Sequence, residues 1–129
     1  MLRSGVGDNR PYLVIAKKIP FLPILKIMQP VAWIYIITNK HNTILYVGSS
    51  NNISTRLWEH RTQQNPKSFS ARYNLYKLVY YEPYDSIEEA IARETYIKGK
   101  IRKWKDALIN SINKNWHDLT ENFNAENSL

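Results

Sequence analysis

"WIYIITNKHNTILYVG", residues 33–48, decides how the rest of the chain is read. Two runs of β-branched and aromatic residues flank a polar bend, the composition of a hairpin. Val31 to Thr38 is predicted as strand 1, Asn39-Lys40-His41-Asn42 as a turn, and Thr43 to Gly48 as strand 2. With the bend centred between Lys40 and His41, Thr38 faces Thr43 and Tyr35 faces Tyr46. Side chains alternate along a strand, so both phenols project from one face of the sheet. Aromatic cross-strand pairs are ordinary sheet stabilisers worth roughly 0.2–1 kcal/mol, and packing is the plainer reading of these two. They also stand where an active site could use them.

Outward from the hairpin, Gly48-Ser49-Ser50-Asn51-Asn52 reads as a loop ending in good N-cap residues. Ile53 to about Thr62 is then a helix, with Arg56 and His60 one turn apart on one face. "QQNPKSFSAR" is a polar connector, and "YNLYKLVYYEPY" is strand 3, closed by Pro83. Ser86-Ile87-Glu88-Glu89 has the form of a capping box and starts a long helix. Ile87, Ala90, Ile91, Ile97 and Ile101 recur along it at helical spacing, and Glu94 falls inside that stripe. Ala107 to Ile112 continues as helix, and "NKNWHDL" makes a turn and a short terminal element. The expected fold is α/β: a three-stranded antiparallel sheet flanked by helices. Residues 1–29, punctuated by Gly and Pro, read as an irregular N-terminal extension or a misassigned start. Residues 30–120 form the domain and residues 121–129 a frayed tail.

The totals narrow the function. A 129-residue chain with 12% aromatic residues can bury a core of its own. With Cys 0, disulfides and thiolate metal sites are excluded, which suits a reducing cytoplasm. Three scattered His residues give no zinc-ligand spacing. A net charge of +7 favours an anionic partner. The apolar run "YLVIAKKIPFLPILKIM" is interrupted by lysines and prolines, well short of the roughly 20 apolar residues of a membrane span.

Some residues invite a chemical reading, each beside a plainer one. A carboxylate on a buried helical stripe, as predicted for Glu94, is costly unless it is paired or holds a metal; a salt bridge would explain it as well. Arg56 and His60 offer a fixed cation beside a switchable base, or an ordinary solvated face. The basic run Arg93, Lys98, Lys100, Arg102, Lys103 and Lys105 could track phosphates or simply face water. Together they meet the needs of phosphodiester hydrolysis. A base deprotonates water, a guanidinium holds the non-bridging oxygens, and a metal on a carboxylate neutralises the leaving oxygen.

The ordered set Trp33-Ile34-Tyr35, Tyr46-Val47-Gly48, Arg56 with His60, and Glu94 resembles the GIY-YIG nuclease superfamily. It is most similar to the small single-domain branch, akin to the N-terminal nuclease domain of the bacterial excision-repair endonuclease. The similarity spans about Val31 to Leu119 and includes "TRLWEHR", "ARYNLYKLVYYE", "RETYIKG" and "INKNWHDL". The resemblance implies Tyr35 as the usual candidate general base and Tyr46 as a positioner of water or phosphate. It implies Gly48 as a close-approach glycine and Arg56 as the transition-state cation. His60 would assist proton transfer or phosphate contact. Glu94 would be the single ligand of Mg²⁺ or Mn²⁺, and Asn113 a later residue near the site. Trp33 replaces the first-motif glycine and Val47 the second-motif isoleucine.

A free phenol has a pKa of about 10, so Tyr35 is a poor base unless perturbed; alternatively it orients the water while His60 takes the proton. The expected function is metal-dependent endonuclease cleavage of nucleic acid, DNA before RNA, with low intrinsic sequence specificity. Lys98, Lys100, Arg102 and Lys103 would contact the backbone. The alternatives are a non-catalytic binding module of the same fold, or a catalytic subunit delivered by a repair or mobile-element partner.

Overall fold

The computed structural model describes residues 30–127, so the expected extension over 1–29 lies outside the described residues. Strands β1 (Ala32–Thr38), β2 (Leu45–Ser50) and β3 (Lys77–Tyr84) form one antiparallel sheet in the order β2-β1-β3. Among the described residues five helices follow or interrupt the strands: α1 (Ile53–Thr62), α2 (Phe69–Arg72), α3 (Ile87–Lys98), α4 (Arg102–Asn110) and α5 (Thr120–Asn127). This is the expected α/β architecture.

β1 is central and covered on both faces, which is why it reads as a nearly unbroken apolar run. Its Ala32, Ile34 and Ile36 pack with Ala90 and Ile97 of α3 and Leu108 and Ile109 of α4. The alternate residues Tyr35 and Ile37 pack with Ile53 and Leu57 of α1 and Phe123 of α5. A bulge in the β1–β3 ladder pairs Ile36 with Tyr80 but Ile37 with Leu78. It turns the neighbours Val79 and Tyr80 into the same apolar cluster.

The hairpin turns later than the tight four-residue bend predicts. Asn39 Oδ1 accepts from Thr43 N at 2.8 Å and Ile44 N at 3.2 Å, and Asn42 takes a left-handed φ of 60°. The asparagines build a wider loop, and Tyr35 pairs with Gly48 while Tyr46 pairs with Ile37. The predicted Tyr35–Tyr46 opposition is therefore corrected to a diagonal. The shift is an even number of residues, so the two phenols stay on one face.

α1 begins and ends near its predicted bounds, with Asn52 as N-cap accepting from Thr55 N and Gln63 closing it in the left-handed region. α2 was not anticipated, because its four residues sit in a stretch without apolar periodicity. β3 is shorter than predicted, starting at Lys77, and it runs through Pro83. Ser86 caps α3 by accepting from Glu89 N, as the capping box requires.

The single long basic helix is not formed. α3 ends at Gly99, Ile101 is extended (φ −71°, ψ 162°), and α4 restarts at Arg102. Glycine lowers helix propensity by about 1 kcal/mol and admits the break. Ile101 consequently stands 72% exposed instead of on a buried stripe.

The tail also differs from expectation. α5 buries Phe123 edge-to-face against Trp33 (centroids 5.3 Å) and Tyr81 (5.1 Å), so residues 120–127 dock on the sheet rather than fray. The chain before it seals the outer edge of β3. Asn113 Nδ2 donates to Val79 O, Leu119 N to Leu78 O, and Leu78 N to Asp118 Oδ1. These bonds occupy an edge that would otherwise offer unpaired backbone groups.

Candidate active site

β2 is an edge strand, and its alternation divides the candidate residues between two faces. Tyr46 and Gly48 turn toward α1, and Ser49 turns toward α3. Gly48 lies opposite Tyr35, and a Cβ there would come within 2.6 Å of the Tyr35 Cζ and hydroxyl. The missing side chain is what lets the buried Tyr35 ring lie across the strand pair. Its hydroxyl meets His60 Nε2 at 3.1 Å, and His60 Nδ1 meets Ser70 Oγ at 2.7 Å. A neutral imidazole donates from one nitrogen and accepts at the other. A proton on Nδ1 therefore lets Tyr35 donate to Nε2 while His60 donates to Ser70. Tyr46 completes the group, its ring 6.3 Å from Tyr35 and 5.5 Å from His60.

Electrostatics sort these groups. Burial, reinforced by Tyr46, raises the Tyr35 pKa well above the ordinary phenol range; Arg56 opposes the rise and Glu94 adds to it. Burial and then Arg56 lower the His60 pKa below 6.5, with Glu59 pulling the other way. At neutral pH the pair is a protonated phenol beside a neutral imidazole.

Arg56 is exposed and bonds Glu59 Oε1 at 3.4 Å. It lines two adjoining clefts. One, of about 350 Å³, holds Tyr46, His60, Phe69 and Ser70. The other, of about 480 Å³, runs past Ser49, Asn52 and Thr55 to Ile87 and Ile91 of α3. Glu94 lies one turn beyond Ile91. Its Oε1 accepts from Ser49 Oγ, and Lys98 Nζ stands 2.5 Å from its Oε2. Its side chain is 19% exposed. The predicted stripe is thus really two. Ala90 and Ile97 face the core, whereas Ile91 is 49% exposed toward the cleft that Arg56 also lines. Glu94 reaches β2 from the α3 side through Ser49, and its charge adds to the rise of the Tyr35 pKa.

Other predicted residues stand apart from this cluster. Asn113 is buried, and its amide is spent on Val79 O, His117 O and His117 N. Arg102 donates to Thr43 O at 2.8 Å and Asn42 O at 2.6 Å, and it pairs with Asp106. It clamps the hairpin loop. Lys100 lies over Tyr96 (4.3 Å to the centroid), Lys98 pairs with Glu94, and Lys103 is exposed on α4. The basic residues do not share one helical face. Ser49 and Ser70, conversely, were missed. The Tyr46/Gly48 against Val47/Ser49 alternation could have pointed to Ser49; nothing local marked Ser70.

The family of the GIY-YIG catalytic domain matches residues 31–107. The chain belongs to the GIY-YIG family. The match runs from the start of the sheet into α4 and includes Tyr35, Tyr46, Arg56, His60 and Glu94, while α5 lies beyond it. A UPF0213 protein of Clostridium perfringens is 37% identical over 79 residues, 61% of this chain and 83% of that protein. A UPF0213 protein of Limosilactobacillus reuteri is 32% identical over 79 residues, covering 60% and 80%. No solved structure matches at the same stringency. Membership in the GIY-YIG family implies nuclease-type function and a nucleic-acid substrate. No helix among the described residues is long and apolar enough to cross a membrane.

GIY-YIG nucleases are generally divalent-metal dependent, and the donors here can be tested for fit. Among the described residues no group of three or more His, Cys, Asp and Glu gathers in one place. Glu94 with the Ser49 hydroxyl would offer a cation one carboxylate. That suits a hard cation such as Mg²⁺, which keeps several waters and takes its other ligands from phosphate. Lys98 would have to release Oε2 or share the carboxylate.

Proposed function

We propose that this GIY-YIG domain is a metal-dependent endonuclease that hydrolyses a nucleic-acid phosphodiester bond, DNA before RNA, with little sequence specificity of its own. The observation that carries this reading is the hydrogen-bond chain Tyr35–His60–Ser70 beside a cleft lined by Arg56. The Arg56 guanidinium would hold the non-bridging oxygens of a bound phosphate. A protonated Tyr35 is a poor base, but its oxygen can orient the attacking water while its proton is directed at His60 Nε2. As the water oxygen bonds to phosphorus and the leaving oxygen departs, the water proton passes to Tyr35. The Tyr35 proton passes to His60. Ser70 holds the imidazole in the required tautomer, and Glu59 favours the imidazolium that forms. A divalent cation bound at Glu94 would supply Lewis-acid neutralisation of the leaving oxygen. A cytoplasmic setting, and a protein partner that supplies substrate choice, complete the reading.

One observation favours a second reading, a binding module without turnover: Lys98 Nζ stands 2.5 Å from the Glu94 carboxylate. Labelled DNA and RNA oligonucleotides, offered as single strands, duplexes and forks with Mg²⁺, Mn²⁺ or EDTA, separate the two. Cleavage by the wild type that EDTA abolishes, and that Arg56→Ala slows by about 10²-fold or more, is the expected result. Binding of every form with cleavage of none would leave the binding module.

A further inference from the structure

α2 does more than carry Ser70. Ser68 caps it by accepting from Ala71 N, and the Ser70–His60 bond anchors it beside the Tyr35 cluster. This fixes Phe69 next to Tyr46, their ring centroids 6.5 Å apart and inclined by 31°. Tyr73, just past the helix, lies 4.8 Å from Phe69, and the Arg72 guanidinium sits 5.7 Å from the Tyr73 centroid. The rings of Tyr46, Phe69 and Tyr73 thus form a row that begins in the candidate site and leads outward. Phe69 is 47% exposed and Tyr73 39%. Phe69 lines the cleft that also holds Arg56. A phenylalanine half in water at the wall of a cleft that Arg56 also lines, with Arg72 over the adjoining Tyr73 and a chain charge of +7, matches a planar partner attached to anions.

We propose that Phe69 and Tyr73 form a stacking platform for an unpaired base adjoining the phosphate held at Arg56, so that the substrate is a single strand rather than a continuous duplex. Duplex bases are stacked on one another and present no face to a side chain. Aromatic platforms beside basic grooves bind single strands with little regard to sequence, because every base has a π face. Arg72 over Tyr73 would meet the phosphate of the stacked nucleotide. The proposal rests on the nuclease reading for the position of the phosphate, but binding tests it without cleavage.

The test is fluorescence anisotropy in EDTA with a labelled 12-nucleotide strand, the blunt duplex of the same sequence, and a strand of equal charge carrying abasic sites. The wild type should prefer the single strand. Phe69→Leu, which keeps bulk but removes the π face, and Tyr73→Ala should each weaken single-strand binding by about 5- to 100-fold, on the scale of one lost stack. Both should leave duplex affinity within about two-fold, which also reports an intact fold. The abasic strand should show the same loss with unaltered protein. Equal binding of strand, abasic strand and duplex by wild type would overturn the platform, even if the protein cleaves. Base-dependent binding would uphold it, even if no cleavage is seen.

Discussion

Tyr35 is the residue on which the proposed chemistry turns. In the sequence it is a phenol with two roles open, base or water holder. Its burial makes the phenolate expensive, and its hydrogen bond to His60 offers the proton somewhere to go. The prediction concerns pH. His60 has a lowered pKa, so it stays neutral above 6.5 and gains its proton only below that value. The cleavage rate should be flat through neutrality and fall on the acid side, with a midpoint under 6.5 that His60→Gln removes. Stability has the same sign. Between the folded and unfolded pKa values the unfolded chain binds more protons, so stability rises with pH there and is lost on acidification. A rate that instead climbs toward pH 10 would mark the phenolate as the base. Gly48 gives a second test. Its backbone is not strained, but a methyl group would meet the Tyr35 ring at 2.6 Å. Gly48→Ala should cost about 1–3 kcal/mol by overpacking, read from urea unfolding, and should slow cleavage as the Tyr35–His60 bond is displaced. The tyrosines, Arg56, His60 and Glu94 became candidates through the resemblance of their ordered set to the GIY-YIG family, since the spacing of each within its own strand or helix left packing, a solvated face or a salt bridge as the plainer reading. Ser49 and Ser70 did not, since their partners lie 45 and 10 residues away and only the folded chain joins them.

Elements show where local signals mislead. The basic run from Arg93 to Lys105 could be read as one phosphate-tracking face, yet α3 ends at Gly99, and Arg93, Lys98 and Arg102 pair with Glu82, Glu94 and Asp106. Arg102 holds the hairpin loop through two carbonyls. Arg102→Ala should therefore lower the melting temperature by a few degrees, about the effect of one or two lost hydrogen bonds. It should change single-strand affinity by less than about two-fold; a large affinity loss without a stability loss would restore the phosphate role. Arg93 belongs to a different device. Glu82, buried on β3, accepts from Arg93 at 3.0 Å and from the hydroxyls of Tyr80 and Tyr84, tying α3 to the sheet. Removing one partner of a buried pair strands the other. Glu82→Ala should cost about 3–5 kcal/mol in thermal or chemical unfolding, whereas a cost below about 1 kcal/mol would deny the network that role. Nothing in "LVYYEPY" announced this carboxylate, because alternation alone does not say which polar residue of a strand is enclosed.

At the scale of the whole molecule, the strand order β2-β1-β3 leaves β2 at an edge, with Tyr46 and Gly48 turned toward α1 and Ser49 turned toward α3 and Glu94. The two clefts share Arg56, and Glu94 meets the β2 edge through its bond from Ser49, one turn of α3 beyond the Ile91 that lines the second cleft. Fold class was legible because the hairpin, the α1 cap and the capping box of α3 are local signals. The register was not, because loop width depends on Asn39 and Asn42 acting through their side chains and backbone. Nor was α5, whose single buried Phe123 has no periodic companions. In the proposed function the Tyr35–His60 pair and Glu94 perform metal-dependent hydrolysis. Single-turnover cleavage of a labelled strand in Mg²⁺, by wild type, Tyr35→Phe and Glu94→Gln matched for melting temperature and binding, tests it most directly. Wild-type cleavage and a loss of about 10²-fold or more in each variant are expected. Cleavage by both variants at the wild-type rate would contradict it.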